Sequence, residues 1–275
     1  MDEVDILGVK VHKTNYEEIT KVIKNKIEKK EKFWIATPNP EIVLKSIKDE
    51  KFREMLNSAD LRVSDGIGLT TATIFNEKIR HNSELRKSLI RKMMLWIGCL
   101  GETFNREKVN TVLPQVSGDV IFEKLLLKAK ENNWSIFLSG GSKNSAKLSE
   151  QIISSKYGIE VNSHPGAKNI REKGEQENEE IVKKINKVKP NLLFVAYGAP
   201  WQERWIYENL EKLNVNLATG IGGAIDEFAH GKVTPNVFRN NGFRWLWRLI
   251  REPSRVMRIF RATIVWSWAN ITYYL

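Results

Sequence analysis

Asp65 is the residue whose type and position best suit proton transfer. It lies in the segment Ser64-Asp65-Gly66-Ile67-Gly68, directly after a short apolar run. A carboxylate at the end of a buried strand can accept a proton from a hydroxyl group, and the glycines allow a ligand to approach the backbone closely. Aspartate also caps helices in many proteins. The segment therefore predicts a general base or a helix cap, and its composition alone leaves both interpretations open.

Thr37 and Asn39 hold a similar position in the segment Thr37-Pro38-Asn39-Pro40-Glu41, which follows another apolar run. Ligands of parallel α/β sheets bind beyond the carboxyl ends of the strands, so these two side chains are candidates for lining a cleft. The alternative is that the segment only starts a helix, since Asn and Thr cap helices well and proline suits the first helical turn.

A third segment, 197–203, offers a close backbone approach followed by the start of a helix. Gly198 permits the approach, and the free N–H groups of a helix N-terminus attract phosphate. Gln202 and Glu203 fall in the first turn of that predicted helix. Two glycine-rich segments, 139–142 and 220–224, the second containing Gly222, repeat the pattern more weakly. Ordinary tight turns are the alternative for all three segments.

The C-terminal tail combines arginine with tryptophan. Six arginines recur every three or four residues, which places them on one face of a helix. They are Arg244, Arg248, Arg251, Arg255, Arg258 and Arg261. Pro253 should kink or restart this helix. Four of the nine tryptophans lie there too. This pattern is typical of a helix in a membrane interface, and arginine also binds diphosphate bidentately. The alternative is a solvated basic face packed onto the core.

Composition limits the classes of binding partner and the cellular compartment that we expect for the protein. The 275 residues carry a formal charge of +11, which favours nucleic acid, an anionic membrane or phosphorylated substrates. Cys99 is the only cysteine, so no intramolecular disulfide can form. The acidic start at Met1 has no apolar signal core, and no window of 18 uncharged apolar residues occurs. We therefore expect a cytoplasmic protein bound peripherally to the membrane.

Signatures of metal sites and of common hydrolases are missing from the sequence. No Asp-x-Asp follows a predicted strand, and the four histidines are scattered without the spacing of metal ligands. These histidines are His12, His81, His164 and His230. No Ser/His/Asp or Cys/His set can be assembled either. The sequence predicts neither a metal nor a cofactor.

Apolar runs alternate with longer Lys- and Glu-rich stretches of helical spacing. This alternation predicts an α/β fold, a Rossmann-like parallel sheet with helices on both faces, plus a basic amphipathic helical C-terminal appendage. Predicted strands are Phe33–Thr37, Asp60–Val63, Ser135–Leu138, Leu192–Val195 and Asn216–Thr219. Predicted helices are Tyr16–Lys30, Pro40–Lys48, Asp119–Asn132, Ser145–Tyr157, Gln176–Lys187 and Gln202–Leu213. We expect a core over 1–237, with a basic insert at 76–113, and an appendage over 238–275.

Taken in order, these segments resemble the WecG/TagA/CpsF glycosyltransferase family. The resemblance covers nearly the whole chain except the insert. Six segments carry the resemblance: 37–41, 59–68, 116–119 (Val116-Ser117-Gly118-Asp119), 198–205, 220–226 and 245–255. The last of these segments ends in Glu-Pro-Ser-Arg. Any one segment is weak evidence, whereas six in the family's order are specific.

The resemblance implies an inverting, metal-independent transfer of N-acetylmannosamine from a UDP-sugar donor to GlcNAc-diphosphate-undecaprenol. Such transfer serves the teichoic acid linkage unit, enterobacterial common antigen or capsule. It implies that Asp65 is the base, that Thr37, Asn39 and Gln202 line the sugar pocket, and that Asp226 lies near the nucleoside. We expect Gly198, Glu203 and Gly222 to contribute to substrate binding. The lipid diphosphate would be gripped by the arginines Arg248, Arg255 and Arg258.

Some positions depart from the family pattern, and they widen the choice of donor. Ser64 replaces a proline before Asp-Gly, Gln115 replaces an arginine, and Ala167 replaces an aromatic residue. The same family with UDP-N-acetylmannosaminuronate or UDP-glucose as donor is therefore one alternative, and a catalytically inactive scaffold is another. A basic nucleic-acid-binding protein is a third, although no helix-turn-helix, RNP or zinc signature appears and no nucleic acid is expected. A homo-oligomer is left open.

Overall fold

The computed structural model describes residues 1–142, 144–166, 175–231, 234–235, 238, 244–251, 253 and 256–273. The side chains at 83, 175–176, 244–245 and 248 lie outside that description. Among the described residues, none of the helices combines the length and the apolar character needed to cross a membrane.

A six-stranded parallel sheet forms the centre of the molecule. Its strands, in chain order, are β3 (Phe33–Ala36), β4 (Leu61–Arg62), β5 (Ile136–Gly140), β6 (Val161–His164), β7 (Leu192–Ala196) and β8 (Leu217–Gly220). Across the sheet the order is β4-β3-β8-β7-β5-β6, and every observed pairing is parallel. The five predicted strands are therefore confirmed, and β6 is an additional edge strand.

Helices cover both faces of this sheet, as predicted. One face packs against α1 (Tyr16–Glu28), α8 (Gly118–Asn132), α9 (Ser145–Tyr157) and α12 (Ala224–Ala229). The other packs against α2 (Pro40–Lys48), α3 (Glu50–Asn57), α4 (Ile67–Arg80), α10 (Glu175–Val188) and α11 (Trp201–Asn209). Strand β3 shows why both faces are apolar: Phe33 and Ile35 enter the first core, and Trp34 and Ala36 enter the second.

Two additions flank the sheet. An antiparallel hairpin of β1 (Glu3–Ile6) and β2 (Val9–His12) precedes α1. Within the insert predicted at 76–113, the first residues complete α4, and three helices follow: α5 (Ser83–Arg86), α6 (Leu89–Glu102) and α7 (Arg106–Val112). Helix α6 packs against α4, with Trp96 and Cys99 buried.

Within its described residues, the C-terminal tail contains helix α13 (Arg244–Arg251) and a second helix that begins at Val256. The kink or restart predicted at Pro253 falls between them, and residues 252, 254 and 255 lie outside the described residues. We call 256–272 the tail helix; its middle turn, Arg261–Val265, is π-helical.

The tail helix packs onto the core through a buried tryptophan. Trp266 is 2% exposed, and its indole N–H donates to the Gly68 carbonyl at 3.1 Å. Ser267 accepts a hydrogen bond from the indole of Trp96 on α6 at 2.9 Å. One side of the tail helix thus belongs to the folded core, as the packed-face alternative expects. The boundary predicted near 238 stays a prediction.

Candidate active site

A cavity of about 490 Å³ opens at the carboxyl edge of the sheet. Its walls come from the segments that follow β3, β4, β5, β7 and β8, which is where ligands bind in open parallel sheets. The structure brings eight of the predicted site residues into these walls: Thr37, Asn39, Asp65, Gly198, Gln202, Gly222, Asp226 and Arg258.

Asp65 reaches the cavity on a bend whose shape depends on glycine. Its backbone N–H donates to the Pro38 carbonyl at 2.9 Å, which joins the loops after β3 and β4. Gly66 then adopts φ 102°, a conformation that L side chains rarely take, and helix α4 starts at Ile67. The N-cap residue of α4 is therefore Gly66 and not Asp65. Asp65 lines the cavity.

Thr37 and Asn39 form the neighbouring wall. Asn39 accepts the Ile42 N–H at 3.0 Å through Oδ1, so it caps α2 as the alternative interpretation expects. The cap uses only the carbonyl oxygen of the amide, and Asn39 also lines the cavity, where its Nδ2 group can donate to a ligand. Thr37 is buried at the same edge. Capping and ligand contact are thus compatible in this loop.

Gln202 is held in place by hydrogen bonds at both ends of its amide. Its Oε1 accepts the Gly222 N–H at 3.0 Å, and its Nε2 donates to Glu203 Oε1 at 2.8 Å. A Cβ on Gly220 would lie 2.5 Å from Gln202 Nε2, so that position must be glycine for the amide to fit. These contacts fix the amide orientation, with Gln202 in the wall of the cavity.

Glu203 lies behind Gln202 and does not line the cavity. It is 2% exposed, its Oε2 has no hydrogen-bond partner, and burial raises the pKa of its carboxyl against the opposing hydrogen bond from Gln202. A buried carboxyl with a raised pKa favours the neutral acid. The structure therefore gives Glu203 a supporting position, and its predicted contact with substrate is not seen in the cavity wall.

Asp226, in the first turn of α12, joins this helix to the loop after β5. Its Oδ1 accepts the Ser142 N–H at 2.8 Å, and Gly141, with φ 89°, leaves the space in which this contact forms. Both Ser142 and Asp226 line the cavity. The aspartate that the family resemblance places near the nucleoside is thus fixed at one end of the cavity.

Arg258 of the tail helix completes the rim. Its Nε and Nη2 donate to Glu41 Oε2 at 3.0 Å and 2.8 Å. Glu41 also lies 3.2 Å from Lys45 Nζ, and Lys45 donates to the Ala199 carbonyl at 3.0 Å. Partial burial acts to raise the pKa of Glu41, but Arg258 and Lys45 outweigh it and hold that pKa below its usual range.

The other two predicted arginines cannot be placed at the cavity. Arg248 lies in α13, with its side chain outside the description, and Arg255 is outside the described residues altogether. Their role in gripping a lipid diphosphate stays a prediction.

Four polar residues in the cavity wall were not among the predicted site residues: Asp119, Ser142, Tyr197 and Glu227. Asp119 accepts a hydrogen bond from Ser117 at 2.7 Å, and Tyr197 shares a 2.6 Å hydrogen bond with Ser139. Ser142 and Tyr197 follow strands β5 and β7, and that position was the signal that could have identified them. Asp119 lies in the first turn of α8 and follows no strand, so its signal was the segment 116–119 of the family resemblance. Across the part of the chain that the structure describes, no group of three His, Cys, Asp or Glu side chains could hold a metal ion.

Comparison with known proteins shows the family of this chain. The sequence model of the Glycosyl transferase WecG/TagA/CpsF family matches residues 4–94 and 103–273, leaving 95–102 in α6 unmatched. The chain is 25% identical over 261 residues to the N-acetylglucosaminyldiphosphoundecaprenol N-acetyl-beta-D-mannosaminyltransferase of Staphylococcus aureus strain MW2, covering 94% of this chain and 88% of the relative. The enzyme of strain NCTC 8325 gives the same figures. The chain belongs to the WecG/TagA/CpsF family of glycosyltransferases.

Proposed function

We propose that this enzyme transfers N-acetylmannosamine from its UDP donor to GlcNAc-diphosphate-undecaprenol, as in synthesis of the teichoic acid linkage unit. The observation that carries the proposal is one cavity lined by a carboxylate, a fixed amide and a tail arginine: Asp65, Gln202 and Arg258. The names of the two relatives specify this sugar and this acceptor.

In the proposed reaction, a hydroxyl oxygen of the acceptor GlcNAc attacks the anomeric carbon of the donor. The bond from that carbon to the diphosphate oxygen breaks, and UDP leaves with the electron pair. Asp65 accepts the proton of the attacking hydroxyl as general base. Attack opposite the leaving group inverts the anomeric centre.

The leaving diphosphate needs positive charge and hydrogen-bond donors. Arg258 supplies a guanidinium with several N–H donors at the rim of the cavity. Gln202 and Asn39 would position the sugar through their amides. Asp226 would hold the nucleoside end, because it lies in the first turn of α12 and accepts a hydrogen bond from the loop after β5. We infer that these groups suffice without a metal.

The acceptor would reach the cavity from the membrane. In this proposal the enzyme binds the inner face of the plasma membrane peripherally. The tail helix carries Arg258 at the cavity rim, and it exposes apolar side chains, including Met257 and Phe260, next to that arginine. An arginine beside exposed apolar residues suits a lipid whose diphosphate lies at the membrane surface.

The donor is tested by UDP release from UDP-N-acetylmannosamine, UDP-N-acetylmannosaminuronate and UDP-glucose. Each is incubated in detergent with a lipid-diphosphate-GlcNAc acceptor, with and without EDTA. We expect acceptor-dependent release with UDP-N-acetylmannosamine that persists in EDTA, and an inverted linkage in the product by NMR. Release with another donor only would correct the sugar, loss in EDTA would contradict metal independence, and no release with any donor would contradict the proposal.

A further inference from the structure

Helix α6 is apolar on the side that faces away from the protein as well as on the side that packs. Its inner side buries Trp96 and Cys99. Its outer side exposes Ile90, Met94 and Ile97 at 71%, 68% and 67%. A helix that is apolar all round is normally buried on all sides. The outer side of α6 is therefore apolar and yet exposed to solvent.

The tail helix carries a second exposed apolar row beside α6. Ile264 and Trp268 are 58% and 53% exposed, and Ser267 between them accepts the hydrogen bond from Trp96. Ile97 follows Trp96 directly on α6. The exposed residues of the two helices therefore flank one helix–helix contact. We call these two rows the α6–tail surface: Ile90, Met93, Met94, Ile97, Leu100, Val256, Met257, Phe260, Ile264, Val265 and Trp268.

The exposed charges within the α6–tail surface are arginines. Neither 88–101 nor 256–273 contains an Asp or Glu, whereas Arg91, Arg258 and Arg261 lie within them and are exposed. Glu102, the last residue of α6, is paired with Lys78 and Lys108. Apolar side chains edged by arginine, with a tryptophan among them, are the composition of a helix surface at a lipid interface. A second copy of the chain would fit less well, since a two-fold contact through this surface would bring like charges together.

We propose that the α6–tail surface docks on an anionic lipid surface, with α6 as a second membrane-contacting helix beside the tail helix. The proposal rests on the proposed function in one respect, because a lipid-linked acceptor requires the cavity to face a membrane. The family model does not match 95–102, which lie in α6. Its role would be to hold the rim residue Arg258 at the level of the lipid headgroups.

The test uses the full chain and sedimentation with vesicles of mixed phosphatidylglycerol and phosphatidylcholine. The variant replaces Ile90, Met94 and Ile97 by glutamine, which keeps helix propensity and leaves the arginines in place. Burying one large apolar side chain corresponds to about tenfold in an equilibrium constant, so the triple variant should lose about tenfold or more in vesicle affinity. Leu127→Gln, at a residue 51% exposed on α8, is the matched control and should bind as the wild type does.

Two further measurements separate the possible failures. Circular dichroism must show that the triple variant is folded, and single variants at the same positions replace it if it is not. Unchanged vesicle binding by the folded variants would overturn the proposal, as would a solution dimer of the wild type that these substitutions dissociate. Turnover with a detergent-dispersed acceptor should be unchanged in the variants. If the wild type has no turnover but vesicle binding still depends on α6, the proposed function fails and the docking surface stands.

Discussion

Arg258 donates two hydrogen bonds to a single carboxylate oxygen of Glu41, at 3.0 Å and 2.8 Å. The pair joins the tail helix to the first turn of α2 at the rim of the cavity. A diphosphate entering there would offer Arg258 a second anionic partner, so we expect the arginine that anchors the tail to bind the acceptor or the leaving group as well.

Replacing Arg258 therefore tests the rim. Arg258→Ala should lower kcat/KM for the lipid acceptor by about tenfold or more, because a charge-assisted contact is lost. Arg258→Lys should keep only part of the wild-type kcat/KM, because lysine cannot donate two parallel hydrogen bonds as arginine does. Initial rates at varied acceptor concentration in detergent measure both. Arg53→Ala, which removes the 2.7 Å surface pair with Glu50, is the control and should have wild-type rates. Wild-type kinetics in Arg258→Ala would remove this arginine from substrate binding.

A substitution at Gly68 tests whether the tail helix packs on the core. A Cβ at this position would lie 2.7 Å from Pro40 Cγ and 3.1 Å from the indole nitrogen of Trp266. Gly68→Ala should therefore destabilise the protein by about 1–3 kcal/mol and loosen the tail, measured by urea unfolding and by proteolysis of the C-terminus. Gly98→Ala, where no atom lies within 4 Å, should instead be neutral or stabilising. Equal stability of the two variants would show that the tail is not packed as described.

Glu203 gives the stability of the protein a defined pH dependence. Because burial raises the pKa of its carboxyl, the folded protein keeps a proton that the unfolded chain releases near its ordinary value of 4.5. The stability contributed by this group is complete below that value and falls as pH rises toward the folded pKa.

Glu203→Gln should remove this dependence while keeping an acceptor for Gln202 Nε2. We expect the variant to unfold at a higher urea concentration than the wild type at pH 8, with the difference shrinking toward pH 5. Urea titrations across this range measure it. A wild type that gains stability relative to Glu203→Gln as pH rises would mean that the carboxylate is favourably ionised in its buried position.

The sheet could be predicted because its strands are buried on both faces. Runs such as Leu192–Val195 are continuously apolar, and the strand Leu192–Ala196 forms there. The edge strand Val161–His164 was not predicted because it carries polar residues, and an edge strand has a neighbour on one side only. Helix α3 was not predicted either, because Asp49 ends α2 and caps α3 with no loop between them.

The site could be predicted from segments that follow strands, since the fold places all of them at one edge of the sheet. The local sequence could not show which of two neighbouring residues lines the cavity, because long-range contacts decide this. Gln202 enters the wall of the cavity while Glu203, one residue further, turns into the core. Likewise, the arginine and tryptophan of the tail suggested one amphipathic helix, but Trp266 turned out to be a core residue because Gly68 leaves space for its indole.

The central claim, that Asp65 is the base of a glycosyl transfer, is tested most directly by Asp65→Asn. Asparagine keeps the size of the side chain and removes the proton acceptor. Asp5→Asn makes the same change at an exposed position of β1, where Asp5 accepts the Gly8 N–H of the hairpin turn at 2.9 Å, and it serves as the control. The measurement is acceptor-dependent UDP release from UDP-N-acetylmannosamine in detergent. Loss of a general base should lower kcat by about 10²–10⁴-fold in Asp65→Asn and leave Asp5→Asn at the wild-type rate. A folded Asp65→Asn protein that turns over as the wild type does would contradict the account.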